Sequence, residues 1–351
     1  MKAQNYNVVG VMSGTSLDGI DLVHVNLQYS GKWSFKIIHQ DCKNYSLKWK
    51  QRLQKGIELN AIDLKQLNLD YTNHLALVIK EFIEDHAIDN LLAICSHGHT
   101  ISHDPANGHT LQIGNLPQLA TLTGHRVVCD FRVQDVQLGG QGAPLVPIGD
   151  RLLFSDYEYC LNLGGFANVS YEQNGNRQAY DLCAVNVVLN HYAQKLGKEY
   201  DDNGAFAKAG TPQSTILKQL AALPYYDLPA PKSLGIEWVN AYIFPILDQL
   251  EDSRDVIATY TQHIAQIISH SLPDHSRVVV TGGGAYNDYL IHLIDHNRAQ
   301  KLHLPAPEII DMKEAIIFAL LGVLRLRNEN NCLASVTGAL HDHCGGKIYT
   351  P

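Results

Sequence analysis

Hydrophobic and polar positions alternate with a period of two through the first forty residues. Residues 7–12, 20–26 and 35–39 read as strands, with a Ser/Gly/Thr turn between the first two. The period then lengthens. Leu75, Ile79, Phe82, Ile83 and His86 recur at helical spacing. Short apolar runs at 91–95 and 126–129 read as buried strands. Residues 138–147, LGGQGAPLVP, break the pattern with glycine and proline and predict a loop at a domain junction. Beyond it the strand rhythm restarts at 159–163, turns at Gly164 and Gly165, and returns at 166–171. This repeats the strand, Gly-rich turn, strand plan of the start and predicts two related α/β domains. An amphipathic helix is marked by Ile257, Tyr260, Ile264, Ile267 and Ile268. A buried strand at 277–281 then runs into Gly282–Gly284 and a helix from Tyr286, and 314–326 is a strongly apolar helix. The fold class is α/β, with helices layered on mixed sheets.

Length agrees, since 351 residues exceed one ordinary core. The predicted division is 1–135 and 136–335, with the tail 336–351 returning to the first domain. Apolar residues at 45% and charged residues at 18% describe a globular chain. A net charge of −8 repels a phosphate polymer and argues against nucleic acid, but small phosphorylated ligands remain open because backbone nests bind them. No apolar run approaches the roughly 20 residues that cross a bilayer, so no membrane is expected. The polar first residues do not follow a signal-peptide pattern. The seven cysteines are scattered, odd in number and without a C-x-x-C pair, which predicts free thiols in a reducing cytoplasm.

Three Gly-rich turns carry candidate chemistry. The first is GVMSGTSLDGID, from Gly10 through Met12 to Asp21. Gly14 and Gly19 would let backbone approach a ligand, Ser13, Thr15 and Ser16 offer hydroxyls to phosphate oxygens, and Asp18 and Asp21 suit the water shell of Mg2+. An ordinary hairpin turn is the competing reading. The second is YCLNLGGFANVS, with Gly164, Gly165 and Asn168. The third, VVVTGGGAYN, delivers Gly282, Gly283 and Gly284 from a strand to a helix start, where free N–H groups face an anion or nucleotide. It is neither a dinucleotide fingerprint nor a Walker A loop. Two hairpins and a third Gly-rich turn together resemble the way actin-like ATPases and sugar kinases hold ATP.

The resemblance sharpens along the chain. The stretches GVMSGTSLDGID, SHGHTISHDP (96–105), QIGN (112–115), TGHRVVCDFR (123–132), GGQGAPLVP, LNLGGFANVS, PKSLGIEW (231–238), TGGGAYND and KEAIIFALLG (313–322) are similar, in order, to the anhydro-N-acetylmuramic acid kinase family. That resemblance implies two actin-like (ribonuclease H-like) domains with an active-site cleft between them. It implies ATP and Mg2+ as cofactors, Asp18 near the metal, and a reaction that opens a 1,6-anhydro sugar and phosphorylates its 6-hydroxyl during cell-wall recycling. The family base matches Asp181, and Glu314 matches an assisting glutamate. Arg132 matches a sugar-pocket position, with His97 and Asp130 as further pocket candidates. The family motif close to D-T-G-P-G-N reads D-L-C-A-V-N at 181–186, keeping only its ends. This departure motivates an alternative, a weakened paralogue that binds sugar or nucleotide without turnover. A glycoside hydrolase using Asp181 and Glu314 is a third reading, which the phosphate turns oppose. Outside the resemblance, Asp181 reads as a helix cap, Glu314 as a charge at a helix N-terminus and Arg132 as a junction ion pair. His97, His99, His103 and His109, and the tail His341-Asp-His-Cys344, complete no known zinc spacing. A homodimer is left open.

Overall fold

The computed structural model describes residues 3–14 and 17–351. Eleven strands run through them: β1 (Gln4–Ser13), β2 (Gly19–Tyr29), β3 (Trp33–Asn44), β4 (Ala93–Asp104), β5 (His109–Ile113), β6 (Val127–Cys129), β7 (Tyr159–Leu163), β8 (Phe166–Gln173), β9 (Asn176–Ala184), β10 (Val278–Thr281) and β11 (Lys347–Tyr349). Two compact units emerge. One holds the chain up to Leu153 together with Met312–Pro351, and the other holds Phe154–Asp311.

In the first unit the sheet order is β11-β6-β4-β1-β2-β3, with β5 paired to β4. β1, β2 and β3 form an antiparallel meander, while β4 lies parallel to β1 and β6 parallel to β4. Val8 and Val9 are neighbours with side chains on opposite faces, and both are fully buried, so helices must cover both faces. On one face Val8, Val23 and Val128 pack with Ile316, Leu320 and Val323 of the helix Pro307–Leu326. On the other, Val9, Leu22 and Ile94 pack with Tyr71, Leu75 and Ile79 of the helix Ala61–Asp85, whose start is capped by Asn60. Glycine sets the first contact. A Cβ on Gly10 would lie 2.1 Å from the Ala315 carbonyl oxygen, and one on Gly322 would lie 2.2 Å from Cys95 Sγ.

In the second unit the order is β10-β7-β8-β9. It is again a meander, β7-β8-β9, with β10 parallel beside its first strand. Leu161, Val169 and Leu182 meet Val188 and Tyr192 of the helix Asn186–Lys195 and Ile257, Tyr260 and Ile264 of Ser253–Ser271. The two sheets share one plan, an antiparallel three-strand meander with a parallel strand beside its first strand.

The structure departs from the sequence reading at several places. The units divide at 153/154 and 311/312 rather than at 135/136 and 335/336. Leu145 within the Gly/Pro loop and Ile148 just beyond it both belong to the first core, and the C-terminal helix covers the same core. Residues 314–326 are the later part of a helix that begins at Pro307. β9 escapes the pattern because its first half, Asn176 to Asp181, is almost wholly polar. The tail returns to the first unit, where β11 pairs antiparallel with β6. Among the described residues no helix is long and apolar enough to cross a membrane.

Candidate active site

In the second unit Asp181 lies in β9, opposite Asn168 of β8, where the register shifts by one residue and bulges. Such bulges re-aim side chains beside functional sites. Asp181 therefore caps no helix; the next helix begins at Asn186 with Val185 before it. A loop outside the sheet fixes the residue. The Leu234 N–H donates to Oδ2 at 2.9 Å, the Asp181 N–H donates to the Lys232 carbonyl at 3.0 Å, and the Tyr225 hydroxyl donates to the Asp181 carbonyl at 2.8 Å. Lys232 in turn donates to the carbonyls of Tyr225 and Tyr226. Burial pushes the Asp181 carboxyl above the ordinary aspartate range, and the Leu234 N–H only partly opposes it. A carboxylate so placed is a more competent proton acceptor than a solvated one. Sequence reasoning missed Lys232 and Leu234 as the clamp, although PKSLGIEW was a matched stretch.

The D-L-C-A-V-N stretch is a structural segment. Leu182, Cys183, Ala184 and Val185 are all in the core. The N–H groups of Val185, Asn186 and Val187 donate to the carbonyls of Gly165 and Gly164. The second Gly-rich turn thus receives a helix start with its carbonyls, and the first N–H groups of that helix are taken. In the third turn the glycines differ. Gly282 has a φ of +83°, and a Cβ there would meet Leu163 backbone at 2.9 Å; one on Gly284 would meet Leu163 Cβ at 2.7 Å. Gly283 alone has room, with Asn186 Nδ2 at 3.9 Å the nearest atom. Gly282 and Gly284 serve the fold, and no packing contact requires a glycine at Gly283.

The first unit gathers another group. Arg132 donates from Nε to His97 Nε2 at 2.9 Å and from an Nη to the Gly142 carbonyl at 2.7 Å. Accepting at Nε2, His97 carries its proton on Nδ1, which donates to the Gly98 carbonyl at 2.9 Å. Burial and the Arg132 charge hold His97 well below its usual range, so it is neutral. Glu314 stands two turns into its helix, too far from the first turn for the helix dipole to explain it. Its side chain is exposed, yet the surrounding protein pushes its carboxyl upward. Arg132 and Lys313 pull it down, and Asp21 adds to the rise. Among the described residues Arg132 joins no acidic ion pair, and two of its five N–H groups are held by His97 and Gly142.

Other predicted residues have duties inside the protein. Gly10 and Gly19 serve packing: a Cβ on Gly19 would lie 2.6 Å from the Lys43 carbonyl oxygen of β3. Met12 belongs to the core. The Ser13 hydroxyl is buried, shared with Tyr45 at 2.7 Å and with His99 Nδ1 at 2.8 Å, so it is not available to a phosphate. Asp130 adopts a φ of 62° and pairs with Lys347 of β11 at 2.6 Å, so its charge is already matched within the protein. Asp18 is exposed, Asp21 half-buried and Gly14 follows β1. Thr15 and Ser16 lie outside the described residues.

The sequence model of the family described as "AnmK: Anhydro-N-acetylmuramic acid kinase" matches residues 6–351. The curated anhydro-N-acetylmuramic acid kinase of Nitrosomonas europaea is 33% identical, covering 97% of this chain and 99% of its own length. That of Nitrosospira multiformis is also 33% identical, covering 99% and 100%. Among solved structures, component A of (R)-2-hydroxyglutaryl-CoA dehydratase from Acidaminococcus fermentans is 14% identical, with a TM-score of 0.47 over 90% of this chain and 97% of that one. A family match over nearly every residue, with relatives that align end to end, means that the chain belongs to the anhydro-N-acetylmuramic acid kinase family.

Proposed function

We infer that the chain converts 1,6-anhydro-N-acetylmuramic acid, ATP and water into the 6-phosphorylated sugar and ADP, in peptidoglycan recycling in the cytoplasm. The observation that carries the reading is Asp181: a carboxylate on a strand bulge, clamped by Leu234 and made more basic by burial. Asp181 takes one proton from water as the water oxygen bonds to the anomeric carbon. The bond from that carbon to the bridging 6-oxygen breaks, and the 6-oxygen attacks the γ-phosphorus as ADP leaves. Arg132, pinned by His97 and Gly142, grips the lactyl carboxylate with its remaining N–H groups. Glu314, beside Arg132 and Lys313, assists at the sugar.

The open backbone face at Gly283 fits the nucleotide, and Gly14 is read as a phosphate contact. Asp18 and Asp21 offer the hard oxygen donors that a hydrated Mg2+ accepts; Mg2+ would neutralise phosphate charge when bound. Nothing in the D-L-C-A-V-N stretch favours the weakened-paralogue reading, since its apolar residues fill the core beside an Asp181 that stays clamped. The test is mass spectrometry of the anhydro sugar incubated with protein, ATP and Mg2+ in water enriched in 18O. A phosphorylated product with the label at the anomeric carbon supports the reading; unchanged sugar sinks it.

A further inference from the structure

A buried polar cluster in the first unit belongs to none of these steps. Cys332 and His343 face each other as an isolated antiparallel bridge: the Cys332 N–H donates to the His343 carbonyl at 3.1 Å and the His343 N–H to the Cys332 carbonyl at 3.2 Å. A directly opposed pair puts both side chains on one face. Asp135 meets that face from the helix Val133–Gln137 and is fully buried. One ligand atom from each of the three residues lies within 4.8 Å of the others.

The hydrogen bonds show what is missing between them. Asp135 Oδ2 accepts from the Gly142 N–H at 2.7 Å, and Oδ1 accepts from the Thr337 hydroxyl at 2.7 Å. His343 Nδ1 faces the His341 carbonyl at 3.3 Å, so Nδ1 carries the proton and Nε2 presents a lone pair. Nε2 is buried without a hydrogen-bond partner, 3.6 Å from Asp135 Oδ1. Two lone pairs facing each other in the interior repel unless a cation lies between them. A shared proton would draw N and O to about 3 Å. Ligands of a tetrahedral zinc ion, at about 2.0–2.2 Å from the metal, stand roughly 3.4 Å apart.

We propose that Asp135, Cys332 and His343 form a zinc site. Carboxylate, thiolate and neutral imidazole cancel the charge of Zn2+, which suits a buried site, and the mixed O, S, N set favours zinc over magnesium or calcium. The His341 carbonyl orients His343, and the Gly142 N–H and Thr337 hydroxyl orient Asp135, as outer partners do around protein-bound zinc. Three protein ligands leave one tetrahedral position for a small oxygen ligand. Binding exchanges the Cys332 thiol proton for the metal and releases that proton to solvent. The ion would tie the C-terminal segment to the helix that follows Arg132. Asp135 stands almost two hundred positions before Cys332 and His343, which is why no zinc spacing appears.

The test uses the full chain, stripped with a chelator, kept reduced and titrated with CoCl2. The wild type is expected to show a thiolate-to-cobalt charge-transfer band that saturates at one equivalent and is erased by added ZnCl2. Cys332→Ser and His343→Gln should each lose the band, with circular dichroism reporting the fold, and Cys344→Ser should keep it. A wild type without the band at one equivalent overturns the proposal, whatever the variants do. So does a band that survives Cys332→Ser or disappears with Cys344→Ser.

Discussion

Replacing Asp181 with asparagine separates basicity from structure. The side chain keeps its size, and its amide oxygen can still accept from the Leu234 N–H, the bond that now stands at 2.9 Å. Removing a negative charge from that bond costs about 1 kcal/mol at most. Relief of the burial that raises the carboxyl acts in the opposite direction. At neutral pH the folded protein should therefore change in stability by no more than about 1 kcal/mol. Loss of a positioned general base costs about two to four orders of magnitude in turnover, or roughly 2.7–5.5 kcal/mol of barrier. The two effects do not overlap in size. ADP release should fall by that factor, while calorimetry finds sugar and ATP affinity unchanged and the melting curve barely moves. The wild-type profile supplies a second readout. The base works only when ionised, and its carboxyl is raised, so kcat/KM should fall with decreasing pH at a value above that of a solvated aspartate. A loss below about tenfold in Asp181→Asn, which hydrogen-bond changes alone could produce, would refute the assignment.

Gly283→Val should weaken ATP binding measured by calorimetry and leave the fold intact, because the added side chain enters space where the nearest protein atom is 3.9 Å from Cβ; unchanged affinity would remove this turn from the nucleotide site. Gly10→Ala should instead destabilise the first unit by about 1–3 kcal/mol without a specific effect on nucleotide affinity, since its Cβ would lie 2.1 Å from backbone oxygen; a melting temperature equal to wild type would contradict the packing role. Arg132→Lys should raise the KM for the sugar roughly 10- to 100-fold with a smaller effect on kcat, because one ammonium cannot hold His97, Gly142 and a carboxylate as a guanidinium does; a KM within error of wild type would exclude the carboxylate grip.

The sequence by itself determined the α/β class, the two-fold repetition of strand, Gly-rich turn and strand, and the family. These rest on local periodicity and on residues adjacent in the chain, which a linear reading can see. It also offered Asp181 and Glu314 as catalytic candidates and His97, Asp130 and Arg132 as pocket candidates, but not the partners that hold Asp181 and Arg132. Only the tertiary structure decided what each glycine and hydroxyl does. Gly10 and Gly283 look alike in a motif, yet one lies under a helix more than 300 residues away in the chain and the other faces open space. Ser13 reads as a phosphate donor until folding brings Tyr45 and His99 to its hydroxyl. β9 stayed hidden because its polar first half alternates too weakly to signal a strand, while its hydrogen bonds to β8 hold it in the sheet. The unit boundary moved for the same reason. A Gly/Pro loop marks where the chain can turn, but the buried surface in and after it, at Leu145, Ile148 and the C-terminal helix, decides where a core ends.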